Sequence, residues 1–218
     1  ANVSHELKTP MTTIGGFIDG MLDGTIPPEK RNEYLQIVSS ETKRLSRLVT
    51  SMLNLSKIEA GELEPKRTEF DISSLIIDCL LSFEQEIEKK NIEVAGLDSI
   101  SQIKMLADRD MLYQVIYNLV DNSVKFVNEG GNIDFKTNTD GKKLVFSIKN
   151  TGKGIPENEL PYVFDRFYKV DKSRSANKNS TGLGLYIVKT IVKAHGGTVT
   201  VSSRENDFTE FSVTLPLS

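Results

Sequence analysis

Leu7, Met11, Ile14, Ile18 and Met21 recur at steps of four and three residues, the 3.5-residue period of a helix that packs along a narrow apolar seam. Gly24 and the Pro27-Pro28 pair interrupt this pattern, which resumes as Val38, Leu45, Leu48, Met52 and Leu55, with Glu41 breaking the seam. The spacing predicts helices over about 2–23 and 29–58, joined as a hairpin. Two helices cannot bury two such stripes alone, so the hairpin calls for a second copy, giving a homodimeric four-helix bundle.

After Ala60-Gly61-Glu62 the pattern changes. Helical periodicity predicts helices over about 71–90, 109–127 and 183–195. Strands are expected near 64–70, 92–95, 102–107, 131–138, 143–150, 198–203 and 208–215, where β-branched and aromatic residues cluster between turn signals. The strands flanking Thr139-Asp140-Gly141 read as a hairpin. The expected fold class is α+β: a helical module over 1–62, then an α/β sandwich over 63–218 with helices on one face of a mixed sheet.

A net charge of −3, with no basic run interleaved with aromatics, argues against nucleic acid as a partner. Cys79, the one cysteine, sits among Leu75, Ile76, Leu80 and Phe83 and reads as a buried apolar residue. No run of 18 apolar residues occurs, and the chain opens inside an already periodic helix, so it reads as a fragment of a longer protein.

Ser4-His5-Glu6-Leu7-Lys8-Thr9-Pro10 places one of the two histidines on the polar face of the first helix, with Thr9 about 40° away. Pro10 removes an amide and predicts a local bend beside His5. A neutral imidazole is a nucleophile near pH 7, and Glu6 is the candidate to take or orient its second proton, although adjacent helical residues diverge by about 100°. An exposed histidine with incidental neighbours explains the same spacing.

Asn118 and Asn122 stand four apart beside the apolar stripe of the third long helix, with Lys125 on the same flank. Amide oxygens suit a magnesium shell shared with phosphate, and an ammonium balances phosphate charge; an amphipathic helix edged with asparagine is the plainer reading. Asn150-Thr151-Gly152-Lys153-Gly154 follows a strand, its glycines allowing close approach to a flat ligand. Thr181-Gly182-Leu183-Gly184-Leu185 opens a helix whose amides and positive dipole end suit phosphate. Neither completes a P-loop or a dinucleotide fingerprint. Between them, Lys169 to Ser180 is polar and reads as a loop able to close over a nucleotide, equally as plain surface loop.

Taken in order, these motifs resemble the cytoplasmic core of a sensor histidine kinase of a two-component system, over nearly the whole chain. Ser4–Pro10 is similar to that family's H box, Asn118–Phe126 to its N box, Asn150–Gly154 to its G1 box, Phe164–Phe167 to its F box and Thr181–Leu185 to its G2 box. The resemblance implies a dimerisation and histidine-phosphotransfer domain over 1–62 and, over 63–218, the ATP-binding fold shared with gyrase, Hsp90 and MutL. It implies that ATP phosphorylates His5 with Glu6 as base, that Asn122 holds Mg2+, and that Asn118 and Lys125 support the phosphates. Gly182, Leu183, Gly184 and Leu185 would cradle them beneath a lid over 153–181 that contributes Lys172 and Thr181, while Asn150, Gly152 and Gly154 would form the adenine turn.

The Glu6-x-x-Thr9 arrangement implies, in this family, dephosphorylation of the response regulator, with Thr9 orienting a water. The expected partner is thus a receiver domain, and the expected setting the cytoplasmic part of a membrane-anchored bacterial protein. Where the family's G1 box usually begins with Asp, this chain has Asn150. An amide still accepts a bond from the adenine amino group, but without charge, and an inverted amide would oppose donor to donor, so a loss of about 1–3 kcal/mol in adenine affinity is expected. Asn206-Asp207-Phe208, where a glycine-rich turn is common, is expected to be a hairpin variation without catalytic cost. A kinase-weak scaffold or phosphatase-dominated protein, and an ATPase or serine kinase of the same fold, are the competing readings.

Overall fold

The computed structural model describes residues 2–59, 64–97, 102–170 and 182–217, the side chains of residues 2–6 and of several positions in the second helix lying outside this description. The chain divides into two compact units, Ala1–Glu62 and Leu63–Ser218.

In the first unit, α1 (Asn2–Leu22) runs without interruption through Pro10, and α2 (Arg31–Glu59) follows a single 3-10 turn (Pro28–Lys30). The connection closes through the Ile26 amide donating to the Gly20 carbonyl at 2.7 Å, with Ile26 buried beneath it. Phe17 packs on Tyr34 across the hairpin with ring centroids 4.9 Å apart. Glu41, the charged interruption of the seam, is largely buried and ion-paired with Arg44 at 3.3 Å, which removes the penalty of an isolated carboxylate there. Met11 and Ile18 of the first seam remain 59% and 40% exposed, so one hairpin does not cover its own stripe.

The second unit opens with β1 (Thr68–Asp71), α3 (Ile72–Leu81), α4 (Glu84–Lys89), β2 (Glu93–Ala95) and β3 (Lys104–Ala107). There follow α5 (Arg109–Phe126), β4 (Asn132–Thr139), β5 (Lys143–Thr151), a 3-10 turn (Leu160–Tyr162), α6 (Gly184–Ala194), β6 (Thr198–Arg204) and β7 (Phe208–Pro216). Five strands form a mixed sheet in the order β2-β4-β5-β7-β6, parallel between β2 and β4 and antiparallel elsewhere, while β1 and β3 pair separately. Leu144, Phe146, Ile148 and Asn150 of β5 and Phe211, Val213 and Leu215 of β7 are buried. The apolar stripes of α3, α5 and α6, including Leu75, Leu112, Leu119, Ile187 and Ile191, complete the core.

The single helix expected over 71–90 is two. The Ser82 hydroxyl donates to the Cys79 carbonyl at 2.6 Å and the Ser82 amide also turns back to it, ending α3 before Phe83, whose side chain stays in the core. Cys79 is fully buried, and burial pushes its thiol up to about 12. Asp71 caps α3. Burial alone would raise its carboxyl, but the amides of Ser73 and Ile103 and the Ser74 hydroxyl outweigh that and hold it below its ordinary value of 3.8. Its ionised form therefore contributes stability at neutral pH that fades as acid protonates it. Asp71→Ala is expected to cost about 1–2 kcal/mol at pH 7, and the gap from wild type to narrow below about pH 4. Urea unfolding across pH checks this; a gap unchanged at pH 3 contradicts it.

Candidate functional site

Two capped ends hold α5 in place. Asp108 accepts from the amides of Asp110 and Met111 at its start and from the Lys66 amide. The Lys90 ammonium donates to the Val124 carbonyl at 2.6 Å at its end, where the helix leaves carbonyls unpaired. The Asp108 amide in turn donates to His195 Nε2 at 3.2 Å, while His195 Nδ1 meets the Ile191 carbonyl at 2.8 Å. Nδ1 must therefore carry the proton and Nε2 accept. This buried imidazole joins the ends of α5 and α6, and both of its nitrogens are committed.

The helices so fixed bring the N-box and G2 residues together. A Cβ on Gly184, the first residue of α6, would stand 3.2 Å from Asn118 Oδ1, and Asn118 Nδ2 is a buried donor with no partner among the described residues. An orphaned amide beside a helix N-terminus is what an anionic ligand would satisfy. Gly182 has φ +68°, and a Cβ there would come within 2.9 Å of Phe167, so the second glycine turn is pressed against the end of the Phe164–Phe167 segment. The Phe167 amide donates to the Gly182 carbonyl at 2.9 Å, and Phe164 is buried edge-on to Phe211. Leu183 is buried and Leu185 partly so.

Asn122 lies partly exposed on α5. Among the described residues no three His, Cys, Asp or Glu side chains cluster, so a divalent ion at Asn122 would draw the rest of its shell from phosphate oxygens and water, as magnesium commonly does. Lys125, expected to face phosphate, is ion-paired with Asp121 one turn back.

Asn150 is 2% exposed at the end of β5, and its Nδ2 donates to the Thr151 carbonyl at 3.0 Å. An inverted amide would set oxygen against oxygen there. The bond therefore orients the amide with Nδ2, and not Oδ1, toward the Thr151 carbonyl. After it, a Cβ on Gly152 would stand 2.3 Å from the Phe126 carbonyl, and one on Gly154, at φ +67°, 2.1 Å from the Arg204 carbonyl.

The expected hairpin at 204–208 is fastened to this turn. The Gly152 amide donates to the Asp207 carbonyl at 3.0 Å and the Asn206 amide to the Lys153 carbonyl at 2.6 Å. Asn206 adopts φ +59°, which asparagine tolerates where glycine is absent. Ser203 Oγ accepts from the Ile155 amide at 2.8 Å and donates to the Phe208 carbonyl at 2.6 Å. Sequence spacing gave no sign of these contacts beyond Asn206-Asp207 reading as a turn.

His5 and Glu6 have helical backbone, but their side chains lie outside the described residues, as do Lys172 and Thr181 entirely. Thr9 is exposed on α1.

Residues 1–61 match the His Kinase A (phospho-acceptor) domain, and residues 107–218 the histidine kinase-, DNA gyrase B- and HSP90-like ATPase family. Over 217 residues, 99% of this chain, it is 35% identical to the sensor protein SrrB of Staphylococcus aureus and spans 37% of that protein's length. The histidine kinase ThkA, solved in complex with the response regulator protein TrrA, is 30% identical with a TM-score of 0.68, over 99% of this chain and 60% of that one. The histidine kinase AdeS of Acinetobacter baumannii, at 23% identity and TM-score 0.74 over 98% of both chains, shares the fold.

Proposed function

The chain belongs to the sensor histidine kinase family, and from that premise we propose that it is a dimeric protein histidine kinase, its 1–62 unit carrying the phosphorylated His5 and its 63–218 unit binding ATP. In the forward step a neutral ring nitrogen of His5 forms the N–P bond, the bond from the γ-phosphorus to the bridging oxygen breaks, and ADP leaves with that electron pair. Glu6 takes or orients the other ring proton. The phosphoryl group then passes to an aspartate of a response regulator, a reading supported by ThkA's having been solved with one. Thr9 orients water for the reverse hydrolysis on the regulator.

The observation that carries the nucleotide half is the unpaired Asn118 amide held against Gly184 at the start of α6. There the amides of the Gly182–Leu185 turn receive phosphate and Lys125 exchanges its Asp121 partner for it, with Lys172 and Thr181 as further nucleotide-binding residues. Asn150 Oδ1 accepts from the adenine amino group at the turn of Gly152 and Gly154. Magnesium held through Asn122 supplies charge neutralisation on the phosphates. The half-exposed seam of α1 favours a second hairpin as its cover, hence a homodimer. The span of only 37% of SrrB's length supports reading this chain as the cytoplasmic part of a longer, membrane-anchored sensor. The pinned Asn150 amide weighs against the kinase-weak alternative.

Incubation with magnesium and γ-labelled ATP tests the proposal: the wild type should gain label that is lost in acid and kept in base. Asn122→Ala should cut labelling at least about a hundredfold and abolish the tightening of ADP binding by magnesium, while sedimentation still reports a dimer. Labelling of the variant at the wild-type rate would rule out the role given to Asn122.

A further inference from the structure

Gly184 and His195 stand at opposite ends of α6, and each meets a point on α5. At one end the Asp108 amide donates to His195 Nε2 at 3.2 Å. At the other, a Cβ on Gly184 would lie 3.2 Å from Asn118 Oδ1. The two helices therefore run antiparallel along one another. Ten residues separate Asp108 from Asn118 and eleven separate Gly184 from His195, spans of about 15 Å and about 16 Å at the helical rise. No glycine or proline interrupts either span, so both behave as stiff rods, and a slip of α6 at His195 reappears at Gly184. Asp108 is a firm anchor. Its carboxylate accepts from the amides of Lys66, Asp110 and Met111, and its carbonyl from the Leu112 amide.

We infer that His195 is a positioning residue for phosphate binding at the far end of its own helix. By accepting the Asp108 amide it sets how far α6 extends along α5, and so where the amides of the Gly182–Leu185 turn stand against Asn118. This rests on the nucleotide reading above. Burial of Leu112, Leu119, Ile187 and Ile191 holds the layer together, but apolar attraction is non-directional. A hydrogen bond with a set distance and angle defines the axial register more sharply. The imidazole suits this task because Nδ1 donates to the Ile191 carbonyl one turn back at 2.8 Å, which locks the ring to its helix and leaves Nε2 as the acceptor facing Asp108. An amide-to-phosphate bond weakens steeply beyond its normal length, so a slip on the order of 1 Å at Gly184 is enough to be felt in binding.

Two substitutions separate the bond to Asp108 from the bond to Ile191. His195→Asn keeps a donor placed like Nδ1 but ends short of Asp108, whereas His195→Gln carries an acceptor to about the position of Nε2. The full chain is titrated calorimetrically with ADP and with adenosine, at a temperature where circular dichroism shows each variant folded. His195→Asn should raise the Kd for ADP about tenfold and leave adenosine binding as in the wild type, because the base turn follows β5 and not α6. His195→Gln should recover most of the ADP affinity. In ligand-free amide NMR spectra the Gly184 resonance should move in His195→Asn and return in His195→Gln. Resonance and Kd must move together in whichever variants fold; one moving without the other overturns the role. Equal weakening of ADP and adenosine also overturns it, by placing His195 in general packing. Failure of the wild type itself to bind ADP overturns the nucleotide reading and this role together, whereas wild-type ADP affinity in folded His195→Asn overturns the role alone.

Discussion

His5→Gln is expected to remove all acid-labile label from protein incubated with magnesium and γ-labelled ATP, a loss of at least about a thousandfold, while ADP binds as in the wild type. The expectation is total because the chain has one other histidine. His195 is 3% exposed, with Nδ1 committed to the Ile191 carbonyl and Nε2 to the Asp108 amide, so neither nitrogen has a lone pair available to attack. Glutamine keeps the polarity and helical fit of the position but lacks a nucleophilic nitrogen, so the dimer and the nucleotide unit should be untouched. Acid-stable label persisting in the variant would instead favour a hydroxyl kinase on the same fold. Acid-labile label persisting would sink the proposed phosphoacceptor.

The reverse chemistry separates from the forward at the same turn. Thr9 stands one helical turn from Glu6 and is exposed on α1, so a change there should slow regulator dephosphorylation while leaving labelling of His5 in place.

What periodicity could convey was the set of elements. Both seams of the hairpin, the stripe of α5 and the alternation of β5 and β7 follow from a burial demand that each residue states locally. The break at Phe83 was not legible because no glycine or proline marks it; a serine hydroxyl turned back on Cys79 ends the helix while the apolar stripe continues. The sheet order was not legible either, since the three-residue β2 pairs in parallel with β4 across an intervening helix, a long-range choice that local pattern does not encode.

At the site the division is similar. Residue types named Asn118, Asn150 and the four glycines, but the sense of the Asn150 amide is set by one bond to its neighbour's carbonyl. The ion pair of Lys125 likewise depends on which rotamer finds Asp121. The hairpin tip shows the limit most clearly, because Lys153 and Asn206 lie far apart in sequence and meet only once the sheet is built.

Gly154→Ala is expected to be the most damaging single change in the nucleotide unit. Gly154 combines two demands that a side chain cannot meet. Its φ of +67° is left-handed, and the added Cβ would fall 2.1 Å from the Arg204 carbonyl, a backbone atom that no rotamer change can move. The left-handed backbone alone costs about 1–2 kcal/mol with a Cβ present. Relief of the collision requires the 204–207 tip to move, at the expense of the Asn206 to Lys153 and Gly152 to Asp207 bonds that fasten it. Together these predict a loss of about 3–5 kcal/mol, or, if the tip yields, a folded unit whose adenine turn is displaced. The two outcomes are distinguishable by urea unfolding and ADP titration, and both predict loss of labelling with the hairpin dimer intact. Wild-type stability with wild-type ADP affinity would show that the tip is not coupled to the turn. Asn206→Gly provides the control, because glycine accepts φ +59° at least as well as asparagine and keeps the backbone amide that bonds Lys153. That variant should retain both stability and ADP binding, which would assign the coupling to backbone geometry and not to the asparagine side chain.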